Sequence, residues 1–225
     1  MITFVIIRTG WYGRCQETFD WKPDMKAASR DKRREEILDT AIQVLSERGY
    51  RDASMLEVAR RTSASKETLY AWFGDKRGLY EAVIRRNAQA VQVVLARHLE
   101  SEAPTDLVLV DFGRALLQLL LGDSAVAINR AAISESRTDP SLAQTLGGAG
   151  REATLPSFVR FLELRRKRGA LRIDTTSQAV EDFLGLLIGD IQIRRLLGLL
   201  EAPRKAQIEA RAARAAKNFL RLYAA

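Results

Sequence analysis

Polar, basic and aromatic side chains are concentrated between residues 54 and 76, and their types suit recognition of double-stranded DNA. A lysine can donate to a guanine edge, and a threonine methyl can contact thymine. Tyrosine, tryptophan and lysine can donate to phosphates, which fixes a protein's position on the duplex. The side chains that we expect at such an interface are Ser54, Ser65, Lys66, Glu67, Thr68, Tyr70, Trp72 and Lys76.

Two short helices joined by a tight turn are needed to position these side chains. Ser54 is a helix-capping residue type with Glu57 three residues later, which is the capping-box pattern, and Ser65 begins a second helix after the connection 62–64. In a helix-turn-helix, the second helix enters the major groove by its N-terminus. This arrangement predicts that Lys66 reads bases, whereas Tyr70, Trp72 and Lys76 bind phosphates.

The charge distribution agrees with a polyanion as partner. The chain has 225 residues and a formal charge of +8, and residues 26–99 carry fifteen basic and ten acidic side chains. A basic segment on an otherwise neutral body is typical of nucleic-acid binding, although a soluble surface could have the same composition.

Several function classes are excluded by composition. One cysteine and one histidine cannot form a multi-cysteine or two-histidine metal site. No pair of titratable residues at catalytic spacing and no glycine-rich phosphate loop supports an enzyme. We expect neither catalysis nor a cofactor nor a metal, and a cytoplasmic location.

Helical periodicity dominates the chain from residue 30 onward, and no strand pattern or internal repeat is visible. Gly49 is predicted to end the first helix, and residues 147–150 to form a flexible break. The later helices are predicted at 106–121, 124–137, 156–168, 177–198 and 203–223. The fold class is therefore all-α, with an N-terminal three-helix helix-turn-helix domain followed by a larger helical ligand-binding and dimerisation bundle.

The domain boundaries that we predict are 1–25, 26–76 and 77–225. Residues 1–25 form an extension without helical periodicity; either translation begins at Met25 or the segment is an N-terminal arm. We expect residues 1–24 to be dispensable for folding and DNA binding.

Residues 30–80 resemble the DNA-binding domain of TetR/AcrR-type transcriptional regulators. The resemblance is carried by Val58-Ala59-Arg60-Arg61, by the run from Ser65 to Phe73, and by Lys76 and Leu79. Ser63 stands where the family usually has glycine, and Trp72 where it often has histidine or tyrosine. We therefore expect Ser63 to adopt a left-handed backbone conformation.

The C-terminal half is similar to the AefR-like subgroup, through residues 133–137 before Asp139-Pro140, residues 169–174, and residues 183–187 with Asp190. The resemblance implies that the last two long helices form a four-helix bundle with a second copy. The residues expected at this interface are Phe183, Leu187, Ile191, Ile208, Phe219 and Tyr223, and Gly185 with Gly189 would permit close helix approach.

The central helices carry enough apolar side chains to surround a small apolar effector. The tentative pocket residues are Phe112, Leu116, Leu119, Ile128, Glu135, Phe158, Phe161 and Leu162. The apolar members could instead pack a closed bundle. Glu135 and Asp190 either pair with a nearby arginine or backbone group or line the pocket.

The sequence as a whole predicts a homodimeric transcriptional regulator, most simply a repressor, that binds a palindromic operator and responds to a small apolar effector. The alternative is an architectural or nucleoid DNA-binding protein without an effector. That alternative predicts little sequence preference and no large cavity.

Overall fold

The structure is a computed structural model that describes residues 25–99 and 101–225. Its helices are α1 (Met25–Asp52), α2 (Met55–Arg61), α3 (Lys66–Phe73), α4 (Lys76–Leu99), α5 (Thr105–Leu121), α6 (Asp123–Glu135), α7 (Ser141–Thr145), a π-helical segment (Leu146–Glu152), α8 (Ala153–Lys167), α9 (Thr176–Ile188), α10 (Ile191–Leu196) and α11 (Lys205–Tyr223). The all-α fold class is confirmed, since the described residues contain no sheet and only one isolated bridge, between Leu171 and Ala224. The predictions for residues 1–24 concern a segment outside the described residues.

The helix-turn-helix geometry follows from local capping. The Ser54 hydroxyl accepts a hydrogen bond from the Glu57 backbone N–H at 3.2 Å, and the Ser65 hydroxyl accepts one from the Thr68 N–H at 3.1 Å. Ser63, between the two helices, has φ 49°, so the expected left-handed conformation is confirmed. Each cap satisfies a backbone donor that the first turn of its helix leaves free.

The apolar core built by α1, α2 and α3 does not end at the predicted boundary at residue 76. It continues into the first half of α4 through Leu79, Tyr80 and Ile84, and it includes buried side chains of α6 and α7, among them Ile128 and Leu142. The buried Tyr80 hydroxyl also donates to the Ala41 carbonyl at 3.2 Å, which fixes α4 against α1. The first half of α4 therefore packs with the N-terminal helices.

A second core fills the C-terminal half, between the end of α4 and helices α5, α8, α9 and α11. Aromatic rings lie at its centre: Phe112 stacks on Phe158 with ring centroids 4.2 Å apart, and Phe183 meets Phe219 edge-to-face at 5.5 Å. No single described helix is long and apolar enough to span a membrane; α5 and α6 reach that length only as a pair, with a 57° bend between them.

Two of the predicted elements differ from the structure. The helix predicted at 177–198 is broken, because Gly189 takes φ 50° and the Arg211 guanidinium donates to the carbonyls of Leu187 and Ile188 at 2.5 and 2.8 Å. These bonds satisfy carbonyls that the helix end leaves free. Residues 147–150, predicted as a flexible break, instead belong to the π-helical segment that leads into α8.

Candidate DNA-binding surface and ligand cavity

The N-terminal turn of α3 presents an exposed polar surface. Lys66, Glu67 and Tyr70 are exposed, and the Lys66 ammonium lies 5.7 Å from the centroid of the Tyr70 ring. Thr68 is half-buried, with its hydroxyl oxygen 3.0 Å from that of Ser65. This turn therefore offers a cation and hydroxyl groups at the end of the helix that a helix-turn-helix inserts into the major groove.

Trp72 lies in the seam between α3 and α1. Its ring is half-buried, and the Arg30 guanidinium lies 5.5 Å from its centroid. Arg34 lies in the same way 5.3 Å from the Phe73 ring. These two arginines were absent from the predicted interface, although the basic run at 30–34 was the signal that could have identified them.

The two capping serines remain exposed, but the capping box at Ser54 is only half formed. The Glu57 carboxylate turns away from Ser54 and pairs with Arg60 at 3.0 Å, with Arg61 at 2.8 Å and with Arg48 at 3.5 Å. Hydrogen bonds from Arg60 and Arg61 lower the pKa of Glu57 to about 2. This cluster braces α2 and ties it to α1 through Arg48.

Lys76 contacts the end of α1 in the described structure. Its ammonium donates to the Arg51 carbonyl at 3.2 Å and lies 4.2 Å from the centroid of the Tyr50 ring. The side chain is half-buried, and burial lowers the pKa of the ammonium. An ammonium has three N–H donors and only one is used here, so the phosphate contact of Lys76 stays a prediction.

A cavity of about 490 Å³ lies between α4, α5, α6, the π-helical segment and the start of α8. Its volume falls in the range of small-molecule sites. The structure places four of the predicted pocket residues on its wall: Phe112, Leu116, Leu119 and Ile128.

The other predicted pocket residues do not line this cavity. Phe158, Phe161 and Leu162 are fully or almost fully buried in the C-terminal core, where neighbouring side chains occupy the space around them. Glu135 lines a different groove, between α1 and α6, because the end of α6 turns it away from the cavity. Asp190 is exposed and pairs with Arg194 at 3.8 Å, so it follows the pairing interpretation.

The polar side chains on the cavity wall were not predicted. The Asn87 amide donates to the Ser124 hydroxyl at 2.8 Å, and the Asn129 amide donates to the Ala125 carbonyl at 2.8 Å. Thr154 donates to the Gly150 carbonyl at 2.9 Å. Gln192 and Arg151 also line the cavity. Helical periodicity could not have identified Arg151, Thr154 or Gln192, since the first two depend on the π-helical segment and the third on the break at Gly189.

Comparisons with known proteins match both halves of the chain to the same family. Residues 37–83 match the model of the N-terminal domain of bacterial regulatory proteins of the tetR family, and residues 107–225 match the C-terminal domain of AefR-like transcriptional repressors. The chain belongs to the TetR family of bacterial transcriptional regulators. The helix-turn-helix described above is the DNA-binding domain of this TetR-family regulator.

Individual relatives agree with this family assignment. The solved structure of a TetR transcriptional regulator from Agrobacterium tumefaciens is 34% identical, with a TM-score of 0.65, and the match covers 85% of this chain and 94% of that one. The solved structure of the flavonoid-responsive regulator FrrA is 28% identical, with a TM-score of 0.62, over 86% of this chain and 98% of that one. The transcriptional activator FasR of Mycolicibacterium smegmatis is 45% identical over 58 residues, which is 26% of each chain. The chain thus spans only about a quarter of FasR.

Most of the predicted dimer-interface side chains of this TetR-family regulator are buried within the protomer. Phe183, Leu187 and Phe219 have no exposed surface and Ile208 is 7% exposed, because α9 and α11 pack against α5. The choice of these four is therefore corrected: their side chains lie in the protomer's own core. Ile191 and Tyr223 are half-buried.

Tyr223 holds the two last long helices together. Its hydroxyl donates to the Asp182 carboxylate at 2.5 Å, which raises the pKa of Tyr223 to about 12 and lowers that of Asp182. Among the described residues of the regulator, no three histidine, cysteine or acidic side chains are grouped closely enough to hold a metal ion.

Proposed function

We propose that this TetR-family regulator is a homodimeric, cytoplasmic repressor that binds a palindromic operator through α3 and releases it when a small molecule occupies the cavity. The proposal rests on one structural observation. Ile84 of α4 and Ile128 and Ala132 of α6 line the cavity and also belong to the apolar core of the DNA-binding half.

This shared wall gives a physical route from ligand to DNA. A ligand that displaces α4 or α6 must also disturb the packing of α1 and α3, which carries the operator-reading side chains. In a dimer, the distance between the two α3 helices is matched to the DNA half-sites, so a small change weakens both contacts. A preference of about 1–3 kcal/mol for the released state gives a 5–150-fold loss of operator affinity.

Two comparisons support the finer parts of the proposal. The family model over the C-terminal half describes transcriptional repressors. FrrA is named as flavonoid-responsive, which is a response to a small molecule. The alternative function, an architectural DNA-binding protein, predicts no large cavity. The cavity of about 490 Å³ therefore argues against this alternative.

The dimer surface that we propose consists of the solvent-facing side of α9 and α11. Gly185 on α9 and Ala206, Ala210 and Ala213 on α11 are exposed, and their small side chains allow a partner helix to approach closely. This surface replaces the buried phenylalanine and leucine side chains that the sequence suggested.

The experiment that tests the function selects binding sites from random double-stranded DNA with the purified protein and measures its mass by sedimentation. We expect a palindromic consensus with half-sites about one or more helical turns apart, and dimers at micromolar concentration. Binding without a consensus would favour the architectural function, and monomers would contradict the dimer.

A further inference from the structure

The cavity wall carries positive charge but no negative charge among its described lining residues. Among the lining residues that the structure describes, Arg151 is the one charged side chain and no carboxylate is present. Arg151 and its neighbour Glu152 are both exposed on the π-helical segment, but of the two only Arg151 lines the cavity, so its guanidinium lies at the cavity's open edge. An anion that entered this cavity would meet a guanidinium without an opposing carboxylate on the wall.

Most of the other polar side chains on the wall already use their hydrogen-bond donors within the protein. The amides of Asn87 and Asn129 and the hydroxyl of Thr154 each already donate a hydrogen bond within the protein. No described hydrogen bond uses the side chains of Arg151 or Gln192, so these two retain donors for a ligand. An arginine guanidinium binds the two oxygens of a carboxylate in a bidentate manner.

The rest of the wall is apolar and indicates what the anion must be attached to. Phe112, Leu116, Leu119 and Ile128 contribute hydrocarbon surface, and Leu184 and Ile188 add to it from α9. At about 30 Å³ per water-sized volume, the cavity has room for a ligand of roughly sixteen non-hydrogen atoms.

We propose that the cavity selects an amphipathic organic anion, with a carboxylate paired to Arg151 and an apolar body against Phe112, Leu116 and Leu119. This inference rests on the proposed function only in taking the cavity as the effector site. It specifies that the ligand is an anion, so a neutral or cationic apolar compound of the same size should bind less tightly.

The test compares three probes of equal chain length at pH 7.5: decanoate, decanol and decylamine. Binding is measured by calorimetry on the full-length protein. For the unmodified protein we expect decanoate to bind about tenfold or more tighter than decanol, as a charge-assisted hydrogen bond warrants, and decylamine to bind most weakly. Equal binding of decanoate and decanol, or no binding of decanoate, would overturn the proposal.

Three variants make the result specific to one side chain. Arg151→Gln should lower decanoate binding to the level of decanol while decanol binding is unchanged, and Arg151→Glu should invert the preference in favour of decylamine. The matched control is Arg160→Gln, an exposed arginine on α8 that does not line the cavity, and it should behave as the unmodified protein. Retention of the decanoate preference in Arg151→Gln would contradict the proposal.

Operator binding in the presence of each probe separates this inference from the proposed function. If decanoate binds through Arg151 but leaves operator affinity unchanged, the anion site stands and the effector response fails. If decanol binds as well as decanoate and both release the operator, the effector response stands and the anion selectivity fails.

Discussion

The ammonium of Lys76 packs on the face of the Tyr50 ring, 4.2 Å from its centroid, and joins the first residue of α4 to the end of α1. A cation on an aromatic face contributes about 0.5–2 kcal/mol, and the hydrogen bond to the Arg51 carbonyl contributes about 1 kcal/mol more. We therefore expect Lys76→Met to lower the free energy of unfolding by about 1.5–3 kcal/mol in urea titrations. The control Arg77→Met, at an exposed neighbour, should leave it nearly unchanged.

The same variant distinguishes this structural role from a phosphate contact. If Lys76 stays on Tyr50 in the complex, Lys76→Met should leave the salt dependence of operator affinity close to that of the unmodified protein. A phosphate contact would instead reduce the slope by about one and leave the urea midpoint unchanged.

Lys66 is predicted to read bases because it is exposed on the first turn of α3 beside Tyr70. Lys66→Ala should relax sequence preference at one or two operator positions, with a loss of about 1–3 kcal/mol of discrimination at each. Site selection from random DNA measures this directly. Lys167→Ala, at an exposed lysine at the end of α8, is the matched control. Uniform weakening of every sequence by Lys66→Ala would assign this side chain to the phosphate backbone instead.

A substitution at Gly185 can test the proposed dimer surface without disturbing the folded protomer. A Cβ atom at this position would meet nothing within 4 Å, so the folded protomer accepts a larger side chain there. Gly185→Ala should raise stability by up to about 1 kcal/mol through helix propensity. Gly185→Arg should give folded monomers in sedimentation, with weaker operator binding because two linked half-sites are no longer engaged.

The control for Gly185→Arg is Ala96→Arg, at an exposed position of α4 outside α9 and α11. It should remain dimeric. Dimers of Gly185→Arg at micromolar concentration would show that the partner docks elsewhere.

Glu57 should make the stability of the DNA-binding half depend on pH. Its pKa is lowered from an ordinary value of 4.5 to about 2 by Arg60 and Arg61, so its ionised form stabilises the folded state above pH 4.5. That contribution is lost as the pH falls toward 2. Glu57→Gln should therefore be less stable than the unmodified protein at pH 7, and the difference should shrink below pH 4.5.

Urea midpoints measured between pH 7 and pH 3 check this prediction. Arg61→Gln removes one of the two arginines whose hydrogen bonds lower the pKa of Glu57 most, and it should show a smaller pH-dependent loss than the unmodified protein. A constant difference between Glu57→Gln and the unmodified protein across this range would rule out the proposed linkage.

Local signals in the sequence predicted the helix-turn-helix well. The caps at Ser54 and Ser65 and the left-handed backbone at Ser63 depend on residues within a few positions of one another, so spacing alone identifies them. The contact between Lys76 and Tyr50 could not be found in this way, because the packing of α4 on α1 brings the two side chains together.

Burial was harder to predict than helix formation. Helical periodicity predicts that Phe183 and Phe219 lie on an apolar helix face. It does not say whether that face packs against the same protomer or against a partner. In the structure, packing against α5 buries both side chains within the protomer. The break after Ile188 likewise depends on a guanidinium that arrives from residue 211, far along the chain.

The core that α1 and α3 share with α6 and α7 sets a rule for building hybrid regulators. A chimera joined at residue 76 would pair α1–α3 with a foreign α4 and α6, and side chains such as Leu79, Ile128 and Leu142 would no longer match the surfaces they fill. Misfit in a packed core typically costs 1–3 kcal/mol per site. A sensor that keeps this DNA specificity and borrows another ligand domain would need to bring α4, α6 and α7 with it, or to redesign that seam.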